Sequence, residues 1–257
     1  MEAYSLSFFI FLFGLCFGSF INVLILRLPL KLSLLTRSAC TSCGTLIPWY
    51  YNIPLFSYIF LRGKCAFCHQ KISFQYFAVE LLCASLTLIL FYKLGLTQEF
   101  LMTTLLFYIL VLLSFIDLKY HAVPDYLLLI ALILVFFLPN YEIIEQVKAA
   151  FMLSGGVVLL VFVLNFYIQN IKSRITNNDE LKTQTALGEG DIPIIAIMGA
   201  ILGVKAALVA IFLASLFAII PALYNKFIKK QQETPFIPFL VLGLGVEYIF
   251  SLSKAFN

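Results

Sequence analysis

Residues 5–26 read SLSFFIFLFGLCFGSFINVLIL, twenty-two consecutive positions without a charge. A bilayer core about 30 Å thick takes roughly 20 apolar residues as helix. Strands at that depth need a closed barrel and alternating polarity, and this run does not alternate. Glu2 is the only charged side chain ahead of it, so the basic region that opens a signal peptide is missing. The run is also too long for a signal-peptide core, and Arg27 follows it rather than leading it. The stretch therefore predicts a retained first membrane helix. Gly18 and Ser19 within it are small enough to let another helix come close.

The rest of the chain repeats the pattern. Of 257 residues, 62% are hydrophobic and 12% charged, and the mean hydropathy is +1.02. Soluble domains carry about twice that share of charge. Further apolar blocks fall at about 77–93, 100–117, 125–139, 147–168, 191–204, 206–224 and 236–253. The predicted fold is all-α: a polytopic membrane protein of about eight transmembrane helices. Lys and Arg favour the cytoplasmic side. With the N-terminus outside, Lys93, Lys148, Lys205 and Lys254 are outer and the remaining 13 of the 17 basic residues are inner (17 − 4 = 13). Both termini are thus expected outside. The net charge of +4 reflects this topology, and no arginine-rich face or stacking platform suggests nucleic acid.

The expected organisation is a first helix over 1–28, a cytoplasmic insert over 29–75 and a seven-helix core over 76–257. The insert carries Cys40-Thr-Ser-Cys43 and Cys65-Ala-Phe-Cys68. Two such knuckles can place four thiolates around one zinc, and the cytosol disfavours disulfides. The alternatives are a redox pair or unligated thiols. Four sulfurs would close the coordination sphere and leave no position for water, so the site reads as structural. Gly44 and Gly63 relax the backbone beside the knuckles. Cys16 and Cys83 read as packing residues, and His69 as a surface residue rather than a further ligand. Residues 169–190 form a second polar inner segment.

Carboxylates in an apolar chain are costly and face protein or water. Glu80, Asp117, Asp125, Glu189, Asp191 and Glu247 are the ones to weigh. Asp117 closes the third block and Asp191 opens the sixth, which puts both at the cytoplasmic edge. Gly188 and Gly190 would let the backbone approach closely and turn into the helix, with Asp191 near its N-terminus. Two carboxylates sharing one site cannot both ionise easily, so one keeps a proton while the other is a base. Such a pair can activate water against a peptide carbonyl. Plainer roles are open too. Asp125 after Pro124, or Asp191, could simply cap a helix. Asp117 could pair with Lys119 or Arg27, and Glu247 could bond a neighbour.

Several segments together resemble the type IV prepilin peptidases, the leader peptidase/N-methyltransferases of the G-x-G-D aspartyl protease class. They are GSFINVLILRLP (18–29), IPWYYNIPLFSYIFLRGKCAFC (47–68), KISFQYFAVELL (71–82), IDLKYHAVPD (116–125), GEGD (188–191) and PFIPFLVLG (235–243). The resemblance implies catalytic roles for Asp117 and Asp191, with Gly188 and Gly190 in the active-site loop. It implies cleavage of the basic leader of prepilins and pseudopilins after a glycine, on the cytoplasmic face of a bacterial inner membrane. It also implies methylation of the new N-terminus from S-adenosylmethionine, to which no residues are assigned. All four cysteines, Cys40, Cys43, Cys65 and Cys68, are retained, as in bifunctional members. The chain departs from the family pattern at Gln75 and Phe77, at Pro193 where Lys is common, and at Ile237 where Gly is usual. A peptidase lacking methylation is one alternative. A non-enzymatic transporter or secretion scaffold is another, although no inverted repeat of the kind many transporters carry is visible.

Overall fold

The computed structural model describes residues 2–138, 142–172, 187–225, 227 and 234–256. Much of the polar segment 169–190, with Arg174 and Lys182, lies outside the described residues, as do Lys226, Lys229 and Lys230. The described chain is helical: α1 Glu2–Arg27, α2 Phe56–Phe60, α3 Phe74–Leu94, α4 Gln98–Tyr120, α5 Asp125–Val135, α6 Ile143–Phe166, α7 Asp191–Tyr224 and α8 Ile237–Phe250. The extended pairings among described residues are two isolated bridges, Ala39 with Leu46 and Lys64 with Lys71. Five helices are long and apolar enough to cross a membrane, and α5 and α8 are shorter apolar helices. The chain divides into two compact units, Met1–Ile116 and Asp117–Asn257.

In the first unit α1 packs along α3 in an antiparallel register fixed by small residues. A Cβ on Gly14 would lie 2.6 Å from the Ala84 Cα, and one on Gly18 would lie 2.7 Å from the Glu80 Cα. One turn further, the Asn22 amide donates to the Tyr76 carbonyl at 3.0 Å. Positions 14, 18 and 22 thus face 84, 80 and 76. Gly14 and Gly18 form the small-xxx-small spacing that lets membrane helices touch backbone to backbone. Cys83 is buried in this seam, whereas Cys16 points outward, so only one of the two expected packing cysteines packs. Helix α3 begins where the Ser73 hydroxyl accepts the Gln75 N–H, and it ends at Gly95, whose φ of 66° is open to glycine. From α4, Tyr108 hydrogen-bonds Thr87 and stacks on Phe17 at 5.5 Å.

The second unit is organised around α7, which packs against α5, α6 and α8. Glycines again allow the closest approaches: a Cβ on Gly199 would lie 2.7 Å from the Ala149 carbonyl oxygen, and one on Gly243 would strike the Ala210 carbonyl. The predicted helices 191–204 and 206–224 are the two arms of α7. They meet at Gly203, whose φ of 75° and ψ of 168° interrupt the helical ladder. Pro193 falls in the first turn, where its missing N–H costs nothing.

Candidate active site

Asp117 lies near the C-terminal end of α4, one turn before the chain leaves the helix at Tyr120. It is 7% exposed. The backbone N–H of Ile237, the first residue of α8, donates to its carboxylate. Its Oδ2 is buried with no hydrogen-bond partner among the described residues. Neither of its expected cationic partners is used. Lys119 lies over the Tyr120 ring at 5.2 Å. The Arg27 guanidinium donates to the carbonyls of Ser33, Leu34, Thr36 and Arg37, at 3.1, 3.2, 2.7 and 3.3 Å. Among the described residues the ion pair formed is Lys148–Glu145.

Asp191 is the first residue of α7 and is 5% exposed. Its Oδ2 accepts the Gly188 N–H at 3.2 Å, and its own N–H donates to the Gly188 carbonyl at 3.2 Å. This reciprocal pair closes the turn 188–191 and fixes the carboxylate. The glycines serve the close approach that the sequence suggested, and not the turn into the helix that it also suggested. Gly190 has φ −69°, a value any residue adopts. A Cβ there would lie 2.8 Å from Val123 Cγ2 and 3.4 Å from Ile237 Cδ1, and one on Gly188 would lie 3.2 Å from Asp191 Oδ2. The loop therefore seats against the segments that follow α4 and open α8. Asp117 and Asp191, 74 positions apart in the chain (191 − 117), come close enough for the Asp117 charge to act on Asp191. An open cleft of about 360 Å³ borders Asp191, lined by Leu187, Gly188, Asp191, Thr234 and Phe236.

The other carboxylates have different roles. Glu80 accepts the Leu55 N–H at 2.8 Å and hydrogen-bonds Ser19, tying the insert to α3. Glu247 accepts the Ser253 N–H with both oxygens, at 3.1 and 3.3 Å. Asp125 is the first helical residue of α5, with Pro124 at the cap and no side-chain capping bond. It supplies charge to the helix N-terminus rather than a cap. Glu189 is exposed. Sequence reasoning missed the contribution of residues 234–237. Its signal is PFIP: Pro235 and Pro238 lack N–H groups, and Ile237 between them presents the one that reaches Asp117.

The four insert cysteines come together, with all sulfurs within 4.8 Å of one another. Two local loops built alike hold them. The N–H of Cys40 bonds the Thr45 carbonyl, and that of Gly44 bonds the Cys40 carbonyl. In the second loop the N–H of Cys65 bonds the Gln70 carbonyl, and that of His69 bonds the Cys65 carbonyl. Gly44 and His69 hold the same place, at φ 71° and 56°. A tetrahedron with metal–sulfur bonds of about 2.3 Å has an edge of about 3.8 Å, and Cys40 and Cys68 are 3.8 Å apart. The N–H groups of Cys43 and Ser42 hold Cys40 below the usual thiol range. The Thr45 hydroxyl and N–H do so for Cys43, and the N–H groups of Cys68 and Phe67 for Cys65. Cys68 receives the Gln70 N–H, but desolvation and the three neighbouring sulfurs outweigh it and push its pKa up to about 11. Four thiols gathered this closely resist full ionisation until a cation joins them, which is what a thiolate metal site requires.

Known proteins carry the same two parts. Residues 12–94 match the bacterial peptidase A24 N-terminal domain, and residues 104–223 match the type IV leader peptidase family. The chain is 29% identical to a prepilin leader peptidase/N-methyltransferase of Bacillus subtilis, over 94% of this chain and 93% of that one. It is 30% identical to one from Legionella pneumophila, over 90% and 87%, and 32% identical to one from Vibrio cholerae, over 80% and 81%. No solved structure matches. The end-to-end match, spanning the cysteine knuckles and both buried aspartates, places the chain in the type IV prepilin peptidase family.

Proposed function

We propose that this chain is an intramembrane aspartyl endopeptidase that removes the leader of prepilins or pseudopilins and then methylates the new N-terminus. The observation that carries the peptidase reading is the buried pair Asp117 and Asp191, with Asp191 at the edge of an open cleft and an Asp117 oxygen without a partner among the described residues. The names of the full-length relatives supply the substrate and the second activity.

In this reading one carboxyl of the pair holds a proton and the other is ionised. The ionised group takes a proton from a water between them as its oxygen attacks the scissile carbonyl carbon. The protonated group hydrogen-bonds the developing oxyanion. As the C–N bond breaks, a proton passes to the leaving amine, and the pair again shares one proton. The Ile237 and Gly188 N–H groups hold the carboxylates in place, and α7 points its positive end at Asp191. Gly188 and Gly190 let the loop seat closely against Val123, Ile237 and the Asp191 carboxylate.

The cysteine tetrad, Cys40, Cys43, Cys65 and Cys68, is proposed to hold one structural Zn²⁺. S-adenosylmethionine is proposed as the methyl donor, and no residues are assigned to holding it. We place the protein in the bacterial inner membrane with eight spans, counting the arms of α7 separately, and both termini outside. The proposed division is 1–28, the cytoplasmic insert 29–75 and the peptidase core 76–257.

The test is purified protein, a synthetic prepilin and S-adenosylmethionine, read by mass spectrometry. Asp117→Asn and Asp191→Asn should each lower cleavage by at least about 10²–10⁴-fold, with helicity and bound metal unchanged. A normal rate in either variant would overturn the assignment. An unmethylated product would leave a peptidase alone, and no cleavage by wild-type protein would point to a scaffold.

A further inference from the structure

The insert has a surface that suits neither water nor a protein core. Between Glu2 and Glu80 the sequence has no acidic residue, while Lys31, Arg37, Arg62, Lys64 and Lys71 are all exposed. Four thiolates and one divalent metal would contribute −2, leaving the insert at +3 (5 − 2). The short helix α2 sorts its residues by face. Ser57 and Tyr58 turn inward: the Ser57 hydroxyl donates to the Tyr50 carbonyl at 3.2 Å, and Tyr58 packs on Phe77 at 5.5 Å. Phe56, Ile59 and Phe60, at i, i+3 and i+4, share the opposite face, and they are 64%, 63% and 80% exposed. Trp49 is 78% exposed. A chain of ring contacts runs from it through Tyr50 and Tyr51 to Phe67, inside the second knuckle, at 5.8, 4.6 and 6.4 Å.

The position of the insert identifies what covers this surface. Its two ends leave α1 at Arg27 and enter α3 at Phe74, and the antiparallel register of those helices puts both ends at one end of the pair. Where α1 and α3 cross the bilayer, the insert is tethered twice to a single membrane face. Exposed aromatics, uncompensated cations and proximity to lipid are together the signature of an interfacial segment.

We propose that the insert is seated on the membrane surface, with the α2 face and Trp49 at the headgroup–acyl boundary and its cations on anionic lipid headgroups. The tetrad core is thereby held flat against the bilayer. The proposal rests on α1 and α3 spanning the membrane and not on the peptidase reading, and its test is optical, so the two can fail separately.

Trp49 is the single tryptophan of the chain and serves as the probe. The full-length protein is placed one copy per nanodisc in phosphatidylcholine, with or without about 30% phosphatidylglycerol. Trp49 emission is then read against phosphatidylcholine brominated near the glycerol end of its chains, and against acrylamide. The expected result is blue-shifted emission, strong quenching by the brominated lipid and weak quenching by acrylamide. Phosphatidylglycerol should roughly double the lipid quenching, and high salt should remove that increment. The salt arm needs no variant. Charge-neutral Arg37→Gln/Arg62→Gln/Lys64→Gln should lose the increment while keeping its metal. Acrylamide quenching like that of free indole, with none from lipid, would show an insert standing in water and overturn the proposal. Shielding from both quenchers would mean cover by protein, and shielding seen only at high protein concentration in detergent would mean a second copy. Either also overturns it, and lipid quenching indifferent to phosphatidylglycerol and salt overturns the anionic preference.

Discussion

Replacing Gly18 with alanine tests the seam that positions the insert. The new Cβ would lie 2.7 Å from the Glu80 Cα and 3.1 Å from the Cys83 Cβ. Carbon atoms prefer about 3.5–4.0 Å, so α1 and α3 must part by roughly 1 Å, and a gap of that size forfeits up to about half the attraction of each contact. The obstacle is backbone, which cannot rotate aside. Overpacking of this kind costs about 1–3 kcal/mol, and the better helix propensity of alanine returns about 0.5–1 kcal/mol. The net expectation is a loss of up to about 2.5 kcal/mol. Gly155 in α6 is the control: none of the described residues lies within 4 Å of its Cβ position, so Gly155→Ala should keep only the propensity gain. Reversible unfolding in mixed micelles, followed by circular dichroism, compares the two. Gly14→Ala should behave like Gly18→Ala, and the double variant should cost less than the sum, because one separation relieves both clashes. Parting the helices also moves Glu80 from the Leu55 N–H, so the Leu55 amide should exchange faster in Gly18→Ala. Equal stability of Gly18→Ala and Gly155→Ala would refute backbone contact at position 18.

Elemental analysis should find about one zinc per chain, and its removal by chelator should expose residues 39–72 to protease while the α1–α3 pair keeps its helicity. His69→Gly should relieve a left-handed backbone that costs an ordinary residue about 1–2 kcal/mol, whereas Gly44→Ala should impose it. Chelator competition should therefore show slower metal loss in the first and faster loss in the second. Gly190→Val should push the 188–191 turn off Val123 and Ile237 and lower kcat by about tenfold to 100-fold, since small misplacements of reacting groups are costly. The exposed Glu189→Gln should not.

The helices were legible because a bilayer demands long charge-free runs, and each such block became a helix. Their breaks were less legible. A boundary expected near the charged Lys205 falls at Gly203, where φ of 75° interrupts α7; charge marks where a helix meets water, but backbone geometry marks where it breaks. The register of α1 on α3 was also beyond reach. Gly18 announced a close approach, yet a sequence shows a helix its own faces and not those of its partner. Gly188 and Gly190 were legible as places of close approach, but not what approaches: Val123 and Ile237, far along the chain, lie against Gly190.

The candidate site teaches something about buried acids in membrane helices. Burial does not single out the pair: Glu80, Asp117, Asp191 and Glu247 are 8%, 7%, 5% and 2% exposed. What separates them is where their oxygens go. Glu80 spends its carboxylate on Leu55 and Ser19, and Glu247 spends both oxygens on Ser253. These are structural acids, each fastening a chain segment. Asp117 keeps a buried oxygen that none of the described residues satisfies, a costly arrangement in a low-dielectric setting. Asp191 borders the cleft with one carboxylate oxygen anchored to Gly188. Such a cost persists where the empty valence is filled in use, by a water or a peptide. The sequence could name six carboxylates as unusual for their surroundings. Only the accounting of their hydrogen bonds divides those that hold the protein together from those left free to act on something else.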